Sequence, residues 1–531
     1  MQHHVSTFVR VTFFWPDTTK TAASMLAMWL TLCCTCGVFG QTFDWVEQFG
    51  TSGNDGGHSI SADGLGNLFI SGITYGSLDG PNAGETDVFL RKYDSDGVIQ
   101  WGRQLGTSSR ETSISMSADG LGSVYLAGYT YGDLGASNAG LYDGFLAKYD
   151  DNGVLQWSRQ FGTVDNDAPT SISTDGLGNI YVAGQTEGSL DGPNAGDFDA
   201  FLRKYNADGV LQWGRQFGTD ETENQLRVSA DDLGNVFITG VTKADLNGPH
   251  VGGDDVFLRN YNSDGIFQWG LQFGTNDIDL VRGISADDQG NVYVTGNTNG
   301  SLDGNNVEYD DVFLRKYDDN GVLQWGRQIG TPEFDYGRGV STDSLGNVFV
   351  SGSTTGDLGP LNAGGGDAFL ILYDANGDIQ WTTQFGTSDA DSGQAVSADG
   401  LGGVYVSGQT TGSLAGENAG NFDAFLAHIT NVPLTPGDAN GDGKVNGLDY
   451  LVWAENFDDN PADDPPGSPA NGDFNDDGRV DGLDYLVWAE NFEAGPNDGA
   501  TVPEPGASAL AMLACAMATW NGSSYRRRRR G

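Results

Sequence analysis

Trp101-Gly102-Arg103-Gln104-Leu105-Gly106-Thr107 is the stretch that organises this chain. The same pattern, W-x-x-Q-[FLI]-G-T, opens at Trp45, Trp157, Trp213, Trp269, Trp325 and Trp381. The seven tryptophans stand 56 residues apart without a slip. A fixed period of that length belongs to an array or closed ring of supersecondary units, each burying its apolar face against the next.

One unit, residues 58–106, contains four short runs separated by turn signals. Ser59-Ile60-Ser61 alternates and stops at Ala62-Asp63-Gly64. Asn67–Gly72 follows, then a polar, glycine-rich loop, then Asp87–Tyr93. Asp94-Ser95-Asp96-Gly97 turns the chain into Val98-Ile99-Gln100-Trp101. Alternating runs punctuated by D-G and N-G are antiparallel hairpins. Four strands per unit and seven units predict an all-β fold, a seven-bladed β-propeller over residues 41–430. The last copy ends at Asp423–His428 without a tryptophan strand, whereas the first begins with an orphan one, Phe43–Phe49. Pairing the two closes the ring and leaves no exposed sheet edge. A calcium-wound parallel solenoid would need a glycine-rich nonapeptide period, which the chain lacks. The units resemble the SBBP family of bacterial β-propeller repeats, through D-[AV]-F-L-x-K-Y-[DN]-x-[DN]-G, the tryptophan strand and S-x-D-x-x-G-N-[VI]-[YF]-V-x-G. That resemblance extends over about three quarters of the chain and implies extracellular placement with no defined reaction.

The formal charge of −46 and the 81 glycines describe an acidic surface cut by many turns. Nucleic acid is disfavoured as a partner, because no basic face exists to neutralise phosphates. The cysteines, Cys33, Cys34, Cys36 and Cys515, all lie in terminal segments that read as targeting signals. Arg10 and Lys20 precede an apolar stretch, Ala22–Phe39, and Val38-Phe39-Gly40 suits signal peptidase; residues 1–40 are expected to be removed, leaving Gln41 first. The processed body then has no thiol chemistry.

An active site grafted on a repeat array breaks its symmetry by an insertion or a unique reactive cluster. All seven copies have equal length, and His58, His250 and His428 fall in separate repeats at different offsets. No catalytic residue is therefore expected. Two sevenfold sets of acids read as turn caps: Asp63, Asp119, Asp175, Asp231, Asp287, Asp343 and Asp399 after the first strand, and Asp87, Asp143, Asp199, Asp255, Asp311, Asp367 and Asp423 at the start of the third. A third set, Asp55, Glu111, Asp167, Glu223, Asp279, Asp335 and Asp391, precedes the first strand. With that strand innermost, these acids should ring one mouth of the channel. There they either bind cations such as Ca²⁺ or are tied down by neighbouring donors, the second being favoured. Long loops between second and third strands, such as Thr74–Thr86, share that face, which is the expected ligand face.

After a linker at 431–437, a second signature appears twice. Asp438, Asn440, Asp442, Lys444, Asn446 and Asp449 hold positions 1, 3, 5, 7, 9 and 12 of one loop, with Gly443 at position 6. Asp473, Asn475, Asp477, Arg479, Asp481 and Asp484 do so in the other, with Gly478. Oxygen ligands at those positions, with a backbone carbonyl at 7, describe EF-hand-type Ca²⁺ loops, so two ions are expected. Each loop runs into the same short amphipathic helix, Gly447–Phe457 and Gly482–Phe492. Position 12 is Asp rather than Glu, and no helix precedes either loop. This duplicated loop-plus-helix, residues 438–493, resembles a type I dockerin, which implies calcium and a cohesin-like or other surface-protein partner. The Ser-Thr pair that reads the cohesin in cellulosomal members is replaced by Gly447-Leu448 and Gly482-Leu483. Extracellular sites of this kind hold calcium with Kd on the order of 10⁻⁴–10⁻³ M.

A linker at 494–501 leads to Val502-Pro503-Glu504-Pro505, an apolar stretch at Ala507–Trp520 and Arg526–Arg530. The stretch is short for an unaided span, and the arginines would stay cytoplasmic. Residues 502–531 resemble the PEP-CTERM sorting signal, implying an exosortase, transient anchoring and export to the surface or matrix of a Gram-negative-type bacterium. The reading as a whole is a non-enzymatic exported interaction or scaffold protein. A carbohydrate-binding or hydrolytic accessory of extracellular polysaccharide degradation, with glycan as partner, is the alternative.

Overall fold

The computed structural model describes residues 42–64, 66–359, 362–400 and 403–430, together with Tyr450, Tyr485 and Trp488. Within it each 56-residue unit becomes one antiparallel four-stranded sheet, seven sheets in all. The first blade is β2 (Asp55–Ala62), β3 (Asn67–Thr74), β4 (Asp87–Asp94) and β5 (Ile99–Leu105), hydrogen-bonded in that order. The orphan strand β1 (Thr42–Phe49) pairs antiparallel with Asp423–Thr430, with Val46 opposite Ala427 and Phe49 opposite Ala424. It thus completes the seventh blade, as the incomplete last repeat predicted.

The first strands of the seven blades adjoin one another in sequence, and the last, Asp391–Ala398, returns to β2. They therefore form the inner wall. Serine hydroxyls stitch this wall from blade to blade. The amide of Ala118 donates to Ser61 Oγ at 3.1 Å, Ala230 to Ser173 at 3.0 Å, and Ala398 to Ser341 at 3.0 Å. Ala62 donates to Ser397 Oγ at 3.1 Å across the seam. The serine two residues before the turn aspartate thus acts between repeats, not within one.

Second and third strands are buried almost throughout, and their side chains mesh with those of the next blade. Phe69, Val88 and Leu90 of the first blade form one apolar cluster with Met116, Val124, Leu126 and Phe145 of the second. At the seam Phe49, Ala424 and Leu426 do the same with Ile60, Leu68, Ile70 and Phe89. Each such large side chain contributes roughly 1.5–3 kcal/mol by leaving water. The organising tryptophan is the outer staple. Trp213 Nε1 donates to Ser263 O at 3.0 Å, in the turn before the outer strand of the next blade. Its ring lies on Gly265, where φ is +71° and an added Cβ would come within 2.7 Å of the indole. Arg215 Nε donates to Gly265 O at 2.8 Å from the same strand.

One strand limit differs from the sequence expectation. The first strand starts at Asp55, four residues before Ser59. The extension is glycine- and polar-rich, so it lacks apolar alternation; the partner strand β3 supplies its hydrogen bonds instead. The outer strand runs through the tryptophan motif to Leu105, as the orphan copy Phe43–Phe49 predicted.

Within the segment that follows the propeller, Tyr450, Tyr485 and Trp488 are helical, as expected directly after each loop. The Trp488 ring lies 5.4 Å from that of Tyr450 and 5.6 Å from that of Tyr485, so the two copies pack against each other. The other residues of the segment, the loop positions included, lie outside the described residues, as do residues 1–40 and 502–531. Among the described residues no helix is long and apolar enough to cross a membrane.

Candidate functional site

Six of the seven inner strands carry a β-bulge at the same place, for example between Gly57 and Ser59 and between Val281 and Gly283. A bulge re-aims one side chain away from the alternating pattern. Here the re-aimed residue enters the central channel, lined by His58, Ile114, Thr170, Arg282, Arg338 and Gln394. Blade four departs from the others. Its irregularity spans Asn224–Arg227, Gln225 takes φ +55°, Leu226 turns into the apolar core, and Arg227 faces the channel instead. The adjoining column is small, Ser59, Ser115, Ser171, Gly283, Gly339 and Ala395, because the inner strands converge there. A Cβ on Gly283 would sit 3.1 Å from Arg338 O. The result is a cavity of about 310 Å³.

Its wall is asymmetric. Arginines occupy three consecutive blades, four to six; histidine, isoleucine, threonine and glutamine fill the rest. Arg227 is anchored, with Nε donating to Arg282 O at 2.8 Å and Nη1 to Leu226 O at 2.9 Å. The guanidinium groups of Arg282 and Arg338 make no hydrogen bond or ion pair among the described residues, and Arg338 Nε is buried without a partner. Burial, then the neighbouring Arg282 charge, pulls Arg227 down to about 10, leaving it protonated at neutral pH. Burial also lowers Arg338, with Arg282 adding to the effect. Arg282 is lowered by burial against the opposing influence of Asp310 and Tyr336. Burial lowers His58 too, while its Nδ1 lies 3.2 Å from Ser113 O.

An aromatic file leads from this wall to the surface. The Arg338 guanidinium lies 6.0 Å from the Tyr336 ring centroid. Tyr336 stacks on Phe334 (6.0 Å, 10° between planes), and Phe334 meets Tyr309 at 4.6 Å. Phe334 and Tyr309 are 38% and 46% exposed, and Tyr309 belongs to the long loop between the second and third strands of blade five. That is the face expected to hold any ligand.

The expected ring of acids is not at the channel mouth, which corrects the sequence reading. Asp55, Glu111, Asp167, Glu223, Asp279 and Asp335 are fully buried, Asp391 is nearly so, and none lines the channel. Each turns back onto the Thr of its own Gly-Thr turn. Thr331 donates from N (2.6 Å) and Oγ1 (2.9 Å) to Asp335, Thr219 from N (2.8 Å) and Oγ1 (2.7 Å) to Glu223, and Thr387 from N (2.6 Å) to Asp391. The favoured alternative, carboxylates tied down by neighbouring donors, describes them. Burial raises Asp167, Glu223, Asp279 and Asp335 above their ordinary values, opposed by those threonine bonds.

The other two sets cap turns as expected. Asp175 accepts from the amides of Leu177 (3.0 Å) and Asn179 (2.8 Å), and Asp87 from Ala83 N at 2.9 Å. The histidines stay apart. His250 Nε2 is 2.6 Å from Gly253 O, and His428 lies 3.2 Å from both Asp44 and Asp399 while stacked on Tyr405. Among the described residues no group of three or more His, Cys, Asp and Glu is placed to hold a metal ion. The twelve calcium-loop residues fall outside the described residues. The arginine wall was missed from sequence. The only signal was the column at 58, 114, 170, 226, 282, 338 and 394, which reads His, Ile, Thr, Leu, Arg, Arg, Gln and lies among columns that vary as much.

Family models place this architecture. The SBBP β-propeller repeat matches residues 100–135, 156–191, 268–303, 324–360 and 380–415. The type I dockerin domain matches residues 436–493. This chain carries SBBP β-propeller repeats and a type I dockerin domain. Two curated proteins are similar to the SBBP–dockerin chain over shorter stretches. The regulatory protein FlaEY of Caulobacter vibrioides is 29% identical over 161 residues, 27% of this chain. An uncharacterised WD repeat-containing protein of Acanthamoeba polyphaga mimivirus is 22% identical over 235 residues, 34% of this chain. The SBBP–dockerin chain spans only 17% of the length of either relative. Among solved structures, the Pan2 WD40 domain of Neurospora crassa superposes with a TM-score of 0.43 at 10% identity, covering 74% of this chain and 96% of its own. An ulvan lyase of polysaccharide lyase family PL25 gives 0.39 at 12%, covering 71% and 95%.

Proposed function

We propose that this is a non-enzymatic exported protein of the cell surface or extracellular matrix, whose propeller presents a ligand face and whose dockerin domain attaches it to a protein partner. The observation that carries this reading is the union of both families in one chain. Dockerin and propeller-repeat families are usually extracellular, and type I dockerins generally bind calcium and cohesin-type partners. Supporting the non-enzymatic part, blades are equal in length and each histidine is separately engaged.

On this reading residues 1–40 are cleaved and 502–531 serve as the sorting signal. Each dockerin loop takes one Ca²⁺ through the carboxylates and amides at positions 1, 3, 5, 9 and 12 and the carbonyl of Lys444 or Arg479. Gly447-Leu448 and Gly482-Leu483 set a partner choice different from that of Ser-Thr dockerins.

The test is affinity capture from the producing cell's envelope with the full processed chain as bait, in millimolar calcium and in chelator. The expected result is a partner retained in calcium, released by chelator and lost with D442N/D477N. Capture indifferent to calcium and to those substitutions would sink the attachment role.

A further inference from the structure

The chain has 26 lysines and arginines against 72 aspartates and glutamates. Three of those few cations nonetheless stand side by side in a confined cavity. Elsewhere on the propeller, buried arginines are matched. Arg91 pairs with Asp79 at 2.8 Å, Arg203 with Asp191 at 2.5 Å and Arg315 with Asp303 at 2.6 Å. A half-buried guanidinium without an ion-pair partner carries a desolvation cost; the Arg282 charge adds to it at Arg338, while Asp310 and Tyr336 offset only part of it at Arg282. Arg282 and Arg338 lack the partner that the same fold supplies to arginines two strands out.

We infer that the arginine wall of the channel binds an oxyanion, a carboxylate or sulfate group, carried into the cavity by a small ligand that enters over Tyr309, Phe334 and Tyr336. The oxyanion supplies the missing acceptors, since planar guanidinium forks match the two oxygens of such a group. The volume is at the lower end for small-molecule sites, roughly one sugar ring or a short dicarboxylate. The asymmetric wall orients the ligand, because only blades four to six attract the charge. The exposed rings of Phe334 and Tyr309, outside the cavity lining but joined to Arg338 through Tyr336, offer an apolar platform to the ligand's uncharged face. This deepens the reading of the propeller as a ligand-presenting body and is independent of the dockerin's partner.

Titration calorimetry and thermal melts of the full chain in calcium test it, with sodium sulfate, sodium glucuronate and neutral glucose as probes. Wild type is expected to bind sulfate or glucuronate saturably, and R282Q/R338Q to lose that binding at least tenfold. Without ligand, R282Q/R338Q should melt higher than wild type, because two half-buried charges without ion-pair partners are gone; arginines that merely support the fold would give the opposite. Glucuronate binding more tightly than sulfate, with the difference abolished by F334A, identifies an acidic sugar as the source of the oxyanion. Equal affinities identify a free oxyanion site. Salt effects identical in wild type and R282Q/R338Q, or binding of glucose alone, would overturn the assignment, and neither outcome bears on the calcium-dependent capture above.

Discussion

At the scale of single residues, the repeated tryptophan earns its place by what it does to the neighbouring blade. Trp213 covers Gly265 and donates to the carbonyl two residues before it, so the pair locks one blade's outer strand onto the next blade's turn. Trp213→Phe keeps an aromatic ring but leaves Ser263 O without its indole donor, and should cost about 1–2 kcal/mol in urea unfolding followed by circular dichroism. Gly265→Ala should cost about as much, through its left-handed backbone and the contact with the indole. Because both disturb one contact, the double variant should cost measurably less than the sum of the two. Strict additivity would mean that ring and glycine act separately. At the seam the same logic changes. Trp381 Nε1 is buried with no acceptor among the described residues; the position equivalent to Ser263 is 431, which lies outside them.

At the scale of strands, much was legible because the period exposes itself: seven copies of each turn signal, with alternation between, predict both the blades and their closure. The inner strand was half legible. Its serine and apolar columns repeat, but which residue faces the channel is decided by a bulge, and a bulge inserts a residue that simple alternation assigns to the wrong side. Hence the channel arginines escaped notice, and the acids beside them were placed at its mouth although they fold back onto threonine. The closing strand offers a test at this scale. Deleting residues 42–49 leaves the seventh blade three-stranded, with Asp423–Thr430 as a bare edge and Phe49 removed from the seam cluster. Such a chain should aggregate or melt in more than one step, as seen by light scattering and calorimetry. A single, unshifted transition would mean that the ring does not depend on its clasp.

At the scale of the whole molecule, an acidic body with many buried carboxyls should be steadier in mild acid than at neutral or alkaline pH. Asp167, Asp279 and Asp335 are raised above 3.8 and Glu223 above 4.5, each chiefly by burial. A carboxyl raised in the fold binds its proton more tightly folded than unfolded. Its contribution is therefore present below the unfolded value and is lost as pH climbs through the folded one. Self-repulsion from the −46 charge acts in the same direction, growing as carboxylates ionise. His58 opposes both: burial lowers it, so its contribution is lost as pH falls below its ordinary 6.5. One histidine against four carboxyls and the net charge leaves the acid side ahead. The propeller transition, followed by far-ultraviolet circular dichroism at low ionic strength and fixed saturating calcium, should show a Tm that declines as pH rises from the ordinary carboxyl range, about 4, toward 8. Asp335→Asn keeps an amide oxygen for Thr331 while removing one titrating group, so it should flatten that decline. A Tm that rises from pH 5 to pH 8 would show that the threonine bonds outweigh burial and hold these carboxyls ionised throughout.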